Sequence, residues 1–251
     1  MSGLAKDDVV VVTGAAQGIG RAIALALAAR SARLSLWDVN EERCAQTAAE
    51  CSAMGAKAVS SRVDVSDESQ VQSAGRMVLQ TYGPVFGLVN NAGIFPRATI
   101  LDSTPELWRS VLGVNLLGMV LCAQTLVPSM ITQRRGAVVN IASGRALQGT
   151  PRGAHYAASK AGIVSLTKSM AMEFGALGVR TNAVIPGVTE TAQPLADATL
   201  EELNARAAHL PLGRIGQPED IAEAVMFLLS DASRYMIGQS IAVNGGAIMI
   251  P

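Results

Sequence analysis

Cysteine is scarce here, with only Cys44, Cys51 and Cys122 in 251 residues. An odd count without a CxxC pair excludes a disulfide scaffold, and the absence of ligand spacing, with only His155 and His209 to assist, excludes zinc and other metal sites. Charge is also sparse: 20 basic side chains balance 20 acidic ones, and no basic run exceeds Arg134 and Arg135. Nothing in this pattern would hold nucleic acid or an anionic membrane. Charged residues make up 16% of the chain, below the usual quarter or so of a soluble protein. That shortfall points to surface covered by further subunits. The first eight residues lack the basic start and apolar stretch of a secretory signal, so cytoplasmic residence is the expectation.

What the chain does have is a 49% hydrophobic content distributed as an alternation of short apolar runs and helix-period segments. Strands are expected at Val9 to Thr13, Arg33 to Trp37, Lys57 to Val63, Gly87 to Asn90, Gly136 to Ile141, Val179 to Val184 and Ser240 to Val243. Helices are expected at Ile19 to Ala29, Glu41 to Met54, Glu68 to Tyr82, Pro105 to Ser129, Ala154 to Phe174 and Glu219 to Leu228. The pattern predicts an α/β fold, a Rossmann-like, doubly wound, seven-stranded parallel sheet with helices on both faces. No repeat or linker divides the chain, so residues 1–251 read as one domain. Val111 to Pro128 carries no charge, but its Asn115, Gln124 and Thr125 favour a buried helix over a membrane span. The alternation breaks only around residues 187–211, a long excursion read as a substrate lid.

Strand one empties into Gly14-Ala-Ala-Gln17-Gly18-Ile19-Gly20 and then a helix. Small residues let the backbone approach a pyrophosphate, and the N–H groups and dipole of the helix start neutralise it. The spacing is GxxxGxG rather than GxGxxG. Asp38 ends the second strand, where an acid accepts hydrogen bonds from an adenosine ribose. A 2′-phosphate there would meet a repulsion of about 4 kcal/mol at 4 Å and an effective dielectric of 20. With no Arg following Asp38 and a neutral Gln17 in the turn, NAD is expected over NADP; an N-capping role for Asp38 is the alternative. Asp64 and Val65 end strand three, and Asn91, Ala92 and Gly93 follow strand four, at the strand ends where such sheets bind ligands.

Tyr156 and Lys160 stand one helical turn apart, and an ammonium beside a phenol favours the phenolate, the form that exchanges a proton with an alcohol or ketone. On an isolated helix that pair would mean little. Together with Ser143, Asn115, the motif TGxxxGxG from Thr13 to Gly20, NNAG from Asn90 to Gly93, and Pro186-Gly187, it resembles the short-chain dehydrogenase/reductase family over about residues 7–246. The resemblance implies hydride transfer between nicotinamide and a carbonyl or carbinol carbon. It makes Tyr156 the general acid/base and Lys160 the group that holds the nicotinamide ribose and polarises Tyr156. Ser143 would donate to the substrate oxygen, and Asn115 would hold a relay water. By the same carry-over Pro186, Gly187 and Val188 shape the nicotinamide pocket, and Thr189 and Thr191 reach its carboxamide or phosphates. Where the family usually has an acid before the last Gly-Gly this chain has Asn244, which points to a changed turn contact. The family's tetramers imply a homotetramer, with the apolar tail Ala247 to Pro251 at an interface.

Substrate-facing positions beside the catalytic strand ends are Ile94, Phe95, Arg145, Leu147, Gln148 and His155. Arg145 and Arg152 are two cations that could grip an anion, with a solvated loop face as the alternative. The leading reading is an NAD-dependent oxidoreductase for a small secondary alcohol or ketone. A reductase of 3-oxoacyl groups on a carrier protein is the runner-up, against which stand Asp38 and Met172, where those reductases usually carry a docking Arg. A binding module without activity is the third.

Overall fold

Four consecutive valines and a threonine, all β-branched, make Val9–Thr13 a strand, β1, whose every residue is buried. The computed structural model describes residues 7–195 and 198–249. Around β1 lie β2 (Arg33–Asp38), β3 (Lys57–Arg62), β4 (Gly87–Asn90), β5 (Gly136–Ile141), β6 (Val179–Pro186) and β7 (Ser240–Val243), in the order β3-β2-β1-β4-β5-β6-β7. Every pairing is parallel. The seven-stranded doubly wound sheet anticipated from the sequence is therefore present. Its order reverses between β1 and β4, and at that switch point loops diverge to leave a crevice at the carboxyl ends of the strands. β4 and β5 are buried along their whole length, whereas the edge strands β3 and β7 are only partly covered.

Helices α1 (Gly18–Ala28), α2 (Glu41–Ala53) and α10 (Pro218–Leu229) cover one face, burying Ile23, Leu27, Cys44, Val225 and Leu228 against Leu34, Leu36 and Val139. The other face carries α3 (Glu68–Tyr82), α4 (Pro105–Leu112), α5 (Gly118–Thr132) and α7 (Ala154–Phe174), around Trp37, Val78, Leu126 and Met130. Short helices α6 (Arg145–Gln148), α8 (Ala192–Leu195) and α9 (Leu200–Ala207) sit in loops. Side-chain caps explain several starts: Asn40 for α2, Asp67 for α3, Thr104 followed by Pro105 for α4, and a reciprocal Thr199–Glu202 box for α9.

Several boundaries shift by one residue, and three regions depart further from the sequence expectation. The helix expected from Pro105 to Ser129 is interrupted by a π segment, Gly113–Leu117, and runs on to Thr132. Its 28 residues are long and apolar enough to span a bilayer, but half of the most apolar window is buried inside the fold, where Leu121, Leu126 and Met130 pack on the sheet. β6 continues to Pro186 because β7 pairs with it there, Pro186 opposite Val243. The excursion after β6 contains helices α8 and α9 and its own small apolar cluster of Ala198, Leu203, Ala207 and Ile215. Residues 196 and 197 of that excursion, and Ile250 and Pro251 of the tail, lie outside the described residues.

Candidate active site

The glycine-rich turn is locked by side chains from beyond β4. Asn91 donates through Nδ2 to the carbonyls of Thr13 and Gly14, both at 3.0 Å, while the backbone N–H groups of Asn91 and Ala92 donate to Thr13 Oγ1. Gly14 has φ of +66°, and a Cβ on it would lie 2.8 Å from the Cα of Ala92. A Cβ on Gly20 would collide with the Gly14 carbonyl oxygen. Gly20→Ala is therefore expected to force the turn open. It should weaken NADH binding by about tenfold or more and lower the urea midpoint, since relief requires backbone movement. Unchanged NADH titration and unfolding curves would remove the turn from the binding site.

One cavity at the switch point is lined by Gly14, Gln17, Gly18, Ile19, Asp38, Asp64, Val65, Asn91, Ala92, Gly93, Ile94 and Thr191. Asp38 accepts from the Ala16 N–H at 3.0 Å and from the Asn40 N–H at 2.9 Å. It does not cap α2, a task done by Asn40, so its carboxylate is fixed beside the turn. Asp64 is used locally, accepting from the N–H and hydroxyl of Ser66. The sequence reading found no cation to offset Asp38, but α2 supplies one. Arg43, exposed on its first turn, donates to Gln17 Oε1 at 2.9 Å. Linear spacing hid this because the approach runs across two loops.

An adjoining cavity shares Ile19, Asn91, Gly93 and Thr191 and continues past Phe95, Arg97, Ser143, Arg145, Gln148, Tyr156, Lys160, Pro186, Gly187, Val188, Thr189, Asn244 and Ile248. Ser143 leaves the end of β5, and Tyr156 and Lys160 project from one face of α7. The Lys160 ammonium, 3% exposed, donates to the Ile141 carbonyl at 2.8 Å and lies 5.6 Å from the Tyr156 ring centroid. Burial pulls its pKa down to about 8. Asn115 lies in the π segment, a distortion that often marks a functional position. Its Oδ1 accepts from the Ile94 N–H at 2.8 Å, and its Nδ2 donates to the Ile94 carbonyl and to Ser159 Oγ. Ser159 in turn donates to the Tyr156 carbonyl at 2.7 Å. Asn115 thus ties the loop after β4 to the first turn of α7. Gly118 permits the helix to approach, since a Cβ there would sit 2.8 Å from a Val65 methyl.

The substrate candidates divide. Phe95, Arg145 and Gln148 line the second cavity, and Phe95 stacks on Tyr156 with ring centroids 3.9 Å apart and planes 13° from parallel. Ile94 lines the first cavity instead. Leu147 points outward from α6 and lines neither. His155 is also absent from both linings: it is fully buried, with Nε2 against the Pro96 carbonyl at 2.9 Å and the ring edge-on to Trp108. Adjacent helix positions diverge by about 100°, which turned His155 into the packing as Tyr156 turned toward the cavity. Arg152 is exposed at a φ of 54° and is not in the lining either. Its place is taken by Arg97, whose guanidinium carbon lies 3.8 Å over the Phe95 ring. The alternation of an extended segment, Phe95 and Arg97 two residues apart, is the signal that could have found it. Ala247 and Ile248 of the apolar tail line the cavity of their own chain. Asn244 holds them there, donating to the Ile248 carbonyl at 2.9 Å and accepting from the Gly246 N–H at 3.0 Å.

A glycine-built dinucleotide cradle opening onto a serine, a tyrosine and a buried lysine at the switch point of a parallel sheet defines a nicotinamide-linked oxidoreductase. The chain belongs to the short-chain dehydrogenase/reductase family. A family model described as enoyl-(acyl carrier protein) reductase matches residues 14–247. Among curated relatives, 2-(S)-hydroxypropyl-CoM dehydrogenase 3 of Xanthobacter autotrophicus is 40% identical and covers all of both chains. The 3-oxoacyl-(acyl-carrier-protein) reductase FabG of Thermotoga maritima is 38% identical over 97% of this chain and 99% of its own. Among solved structures, a putative NAD(P)-dependent gluconate 5-dehydrogenase from Beutenbergia cavernae, with bound NADP, superposes with a TM-score of 0.90 at 36% identity over 96% of each chain.

Proposed function

We propose that this enzyme interconverts a small secondary alcohol and its ketone, using NAD in preference to NADP. The observation that carries the reading is that Ser143, Tyr156 and Lys160 line one cavity continuous with the glycine cradle. Bound nicotinamide supplies or takes the hydride. Tyr156 exchanges the proton with the substrate oxygen, and Ser143 donates a hydrogen bond to that oxygen as charge develops on it. Lys160 would hold the nicotinamide ribose and, when protonated, favours the Tyr156 phenolate. The Asn115 side chain positions Ile94 and Ser159 in this scheme, and Asn115 would also hold the water that relays protons from Lys160.

Cradle and cofactor fit: Gly14, Gly18, Gly20 and Gln17 would meet the pyrophosphate, Asp38 the adenosine ribose, Asp64 and Val65 the adenine, and Asn91 to Gly93 with Pro186 to Thr191 the nicotinamide half. Residues 187–211 would act as a lid on a fixed base. The Thr189–Gly216 bridge and the Gln217 amide donating to Glu190 at 2.9 Å support that base. Leu117 and Met172, exposed on the helical layer that carries Asn115 and Tyr156, suit a homotetramer. Three free, buried cysteines suit a reducing cytoplasm.

Asp38 and Arg43 set opposing fields at the ribose. A charge pair at 4 Å is worth about 4 kcal/mol at a dielectric of 20. Asp38, held by two backbone N–H groups beside the cradle, outweighs the exposed Arg43, whose guanidinium is engaged by Gln17, so NADH should bind more tightly than NADPH. Asp38→Ala leaves Arg43 unopposed and should reverse the order. Fluorescence titration of both cofactors checks it, and an unaltered affinity ratio in the variant would reject the assignment. Turnover of an alcohol panel, alongside a 3-oxoacyl thioester, separates this reading from the carrier-protein reductase that the 38% relative is named for. Met172, 86% exposed, offers no cation to an acidic carrier on α7.

A further inference from the structure

A polar side chain is buried directly beside Tyr156. His155 is fully buried on the first turn of α7, and a polar ring in that position is unfavourable unless it is bonded. Its Nε2 meets the Pro96 carbonyl at 2.9 Å, and because a carbonyl only accepts, the proton sits on Nε2. Nδ1 has no hydrogen-bond partner among the described residues, a cost that a leucine of similar size would not carry. Packing alone therefore does not account for the histidine, whereas the bond to Pro96 does.

That bond holds the neighbour of Phe95. Phe95 lies flat on Tyr156, with ring centroids 3.9 Å apart and planes 13° from parallel. A tyrosine hydroxyl lies on the long axis of its ring, so rotation about χ1 is what carries it away from a substrate oxygen, and a ring stacked on one face blocks the swing to that side. The stretch around Phe95 is tied at both ends: Asn115 bonds both backbone groups of Ile94, and the Ala98 N–H donates to the Arg152 carbonyl at 3.1 Å. Between those ties Pro96 has no N–H, which leaves its carbonyl as the backbone group that a side chain can grip. Gly153 completes the seat, since a Cβ there would collide with the Phe95 ring.

Resting on the oxidoreductase reading above, we propose that His155 is a positioning residue for the general acid/base: by holding the Pro96 carbonyl it keeps Phe95 as a backstop to the Tyr156 ring. It touches neither substrate nor cofactor. The imidazole supplies reach and a donor, and its edge-on contact with Trp108, centroids 5.9 Å apart, braces its plane.

The test compares His155→Leu, which fills the space without a donor, with His155→Gln, which keeps an N–H at similar reach, and with Phe95→Leu, which removes the flat ring. Reduction of a ketone panel is followed with NADH and with NADPH, and NADH affinity by fluorescence titration. His155→Leu should lower kcat by about tenfold or more, the scale of a small misplacement of a reacting group, with little change in KM or NADH affinity. His155→Gln should return most of that loss. In the double variant of His155→Leu and Phe95→Leu the losses should not add, because both substitutions release the same ring. Independently of turnover, nitration of Tyr156 by tetranitromethane, read by mass spectrometry of its peptide, should be several-fold faster in His155→Leu and Phe95→Leu and near wild type in His155→Gln. If His155→Leu does not fold, His155→Asn, too short to reach the carbonyl, takes its place. Additive losses, a glutamine variant no better than the leucine one, or a nitration rate indifferent to residue 155 overturns the proposal while leaving the oxidoreductase reading intact. No reduction of any ketone by the wild-type enzyme with either cofactor overturns that reading, and the nitration rates then decide the brace alone.

Discussion

Tyr156→Phe should lower turnover by about 10²- to 10⁴-fold, the range attributed to a positioned general acid or base, while NADH still binds. The substitution removes one hydroxyl and leaves the ring. Phe95 stacks on that ring at 3.9 Å, and the backbone carbonyl of residue 156 keeps its bond from Ser159, so the loop after β4 and the start of α7 stay joined. The lost function is therefore the transferable proton rather than the architecture. Steady-state NADH consumption paired with NADH fluorescence titration separates the two. Retained turnover would mean that another group delivers the proton, and abolished NADH binding would mean that the hydroxyl holds the cofactor instead of the substrate.

The parts of this site that the sequence made legible are those governed by chain-local rules. A run of four valines became β1 and a short apolar run became β4, the i, i+4 spacing brought Tyr156 and Lys160 to one face, and glycine placement gave the turn before α1. Each depends on backbone sterics or periodicity within a few residues. What was hidden depends on loops crossing one another. Arg43 reaches Gln17 from α2, Arg97 is positioned by stacking on Phe95, and the tail returns through Asn244 to the cavity. The π segment was also hidden, because an apolar stretch flanked by Gly113 and Gly118 reads as ordinary helix. Its distortion follows from what Asn115 must bond across the gap, Ile94 and Ser159. For His155 the turn of about 100° from Tyr156 left cavity wall and packing as alternatives, and the structure puts it in the packing.

Lys160→Met should raise stability and lower activity together. The ammonium is buried, and its pKa falls from 10.5 to about 8 through desolvation. In the unfolded chain the group keeps its ordinary value, so between pH 8 and 10.5 the unfolded state binds more protons than the folded one, and stability rises with pH. Below pH 8 the full penalty is present, about 3 kcal/mol for a shift of that size. Methionine is unbranched and of similar reach, so it fills the space without the charge, although the Ile141 carbonyl loses its donor at a cost of about 1–3 kcal/mol. The net expectation for the cofactor-free protein at pH 7 is a gain of up to about 2 kcal/mol, or a melting temperature higher by up to about 8 °C. That advantage must shrink as pH climbs from 8 toward 10.5, because the wild-type amine is then neutral and its penalty is gone. Turnover should fall by about 10²-fold or more, since the phenolate loses its cation and the ribose its donor. Thermal unfolding of both proteins without cofactor, across that pH range, decides the matter: a variant that is less stable at pH 7, or a difference that does not vary with pH, would show that Lys160 is not a buried charge held at the expense of the fold.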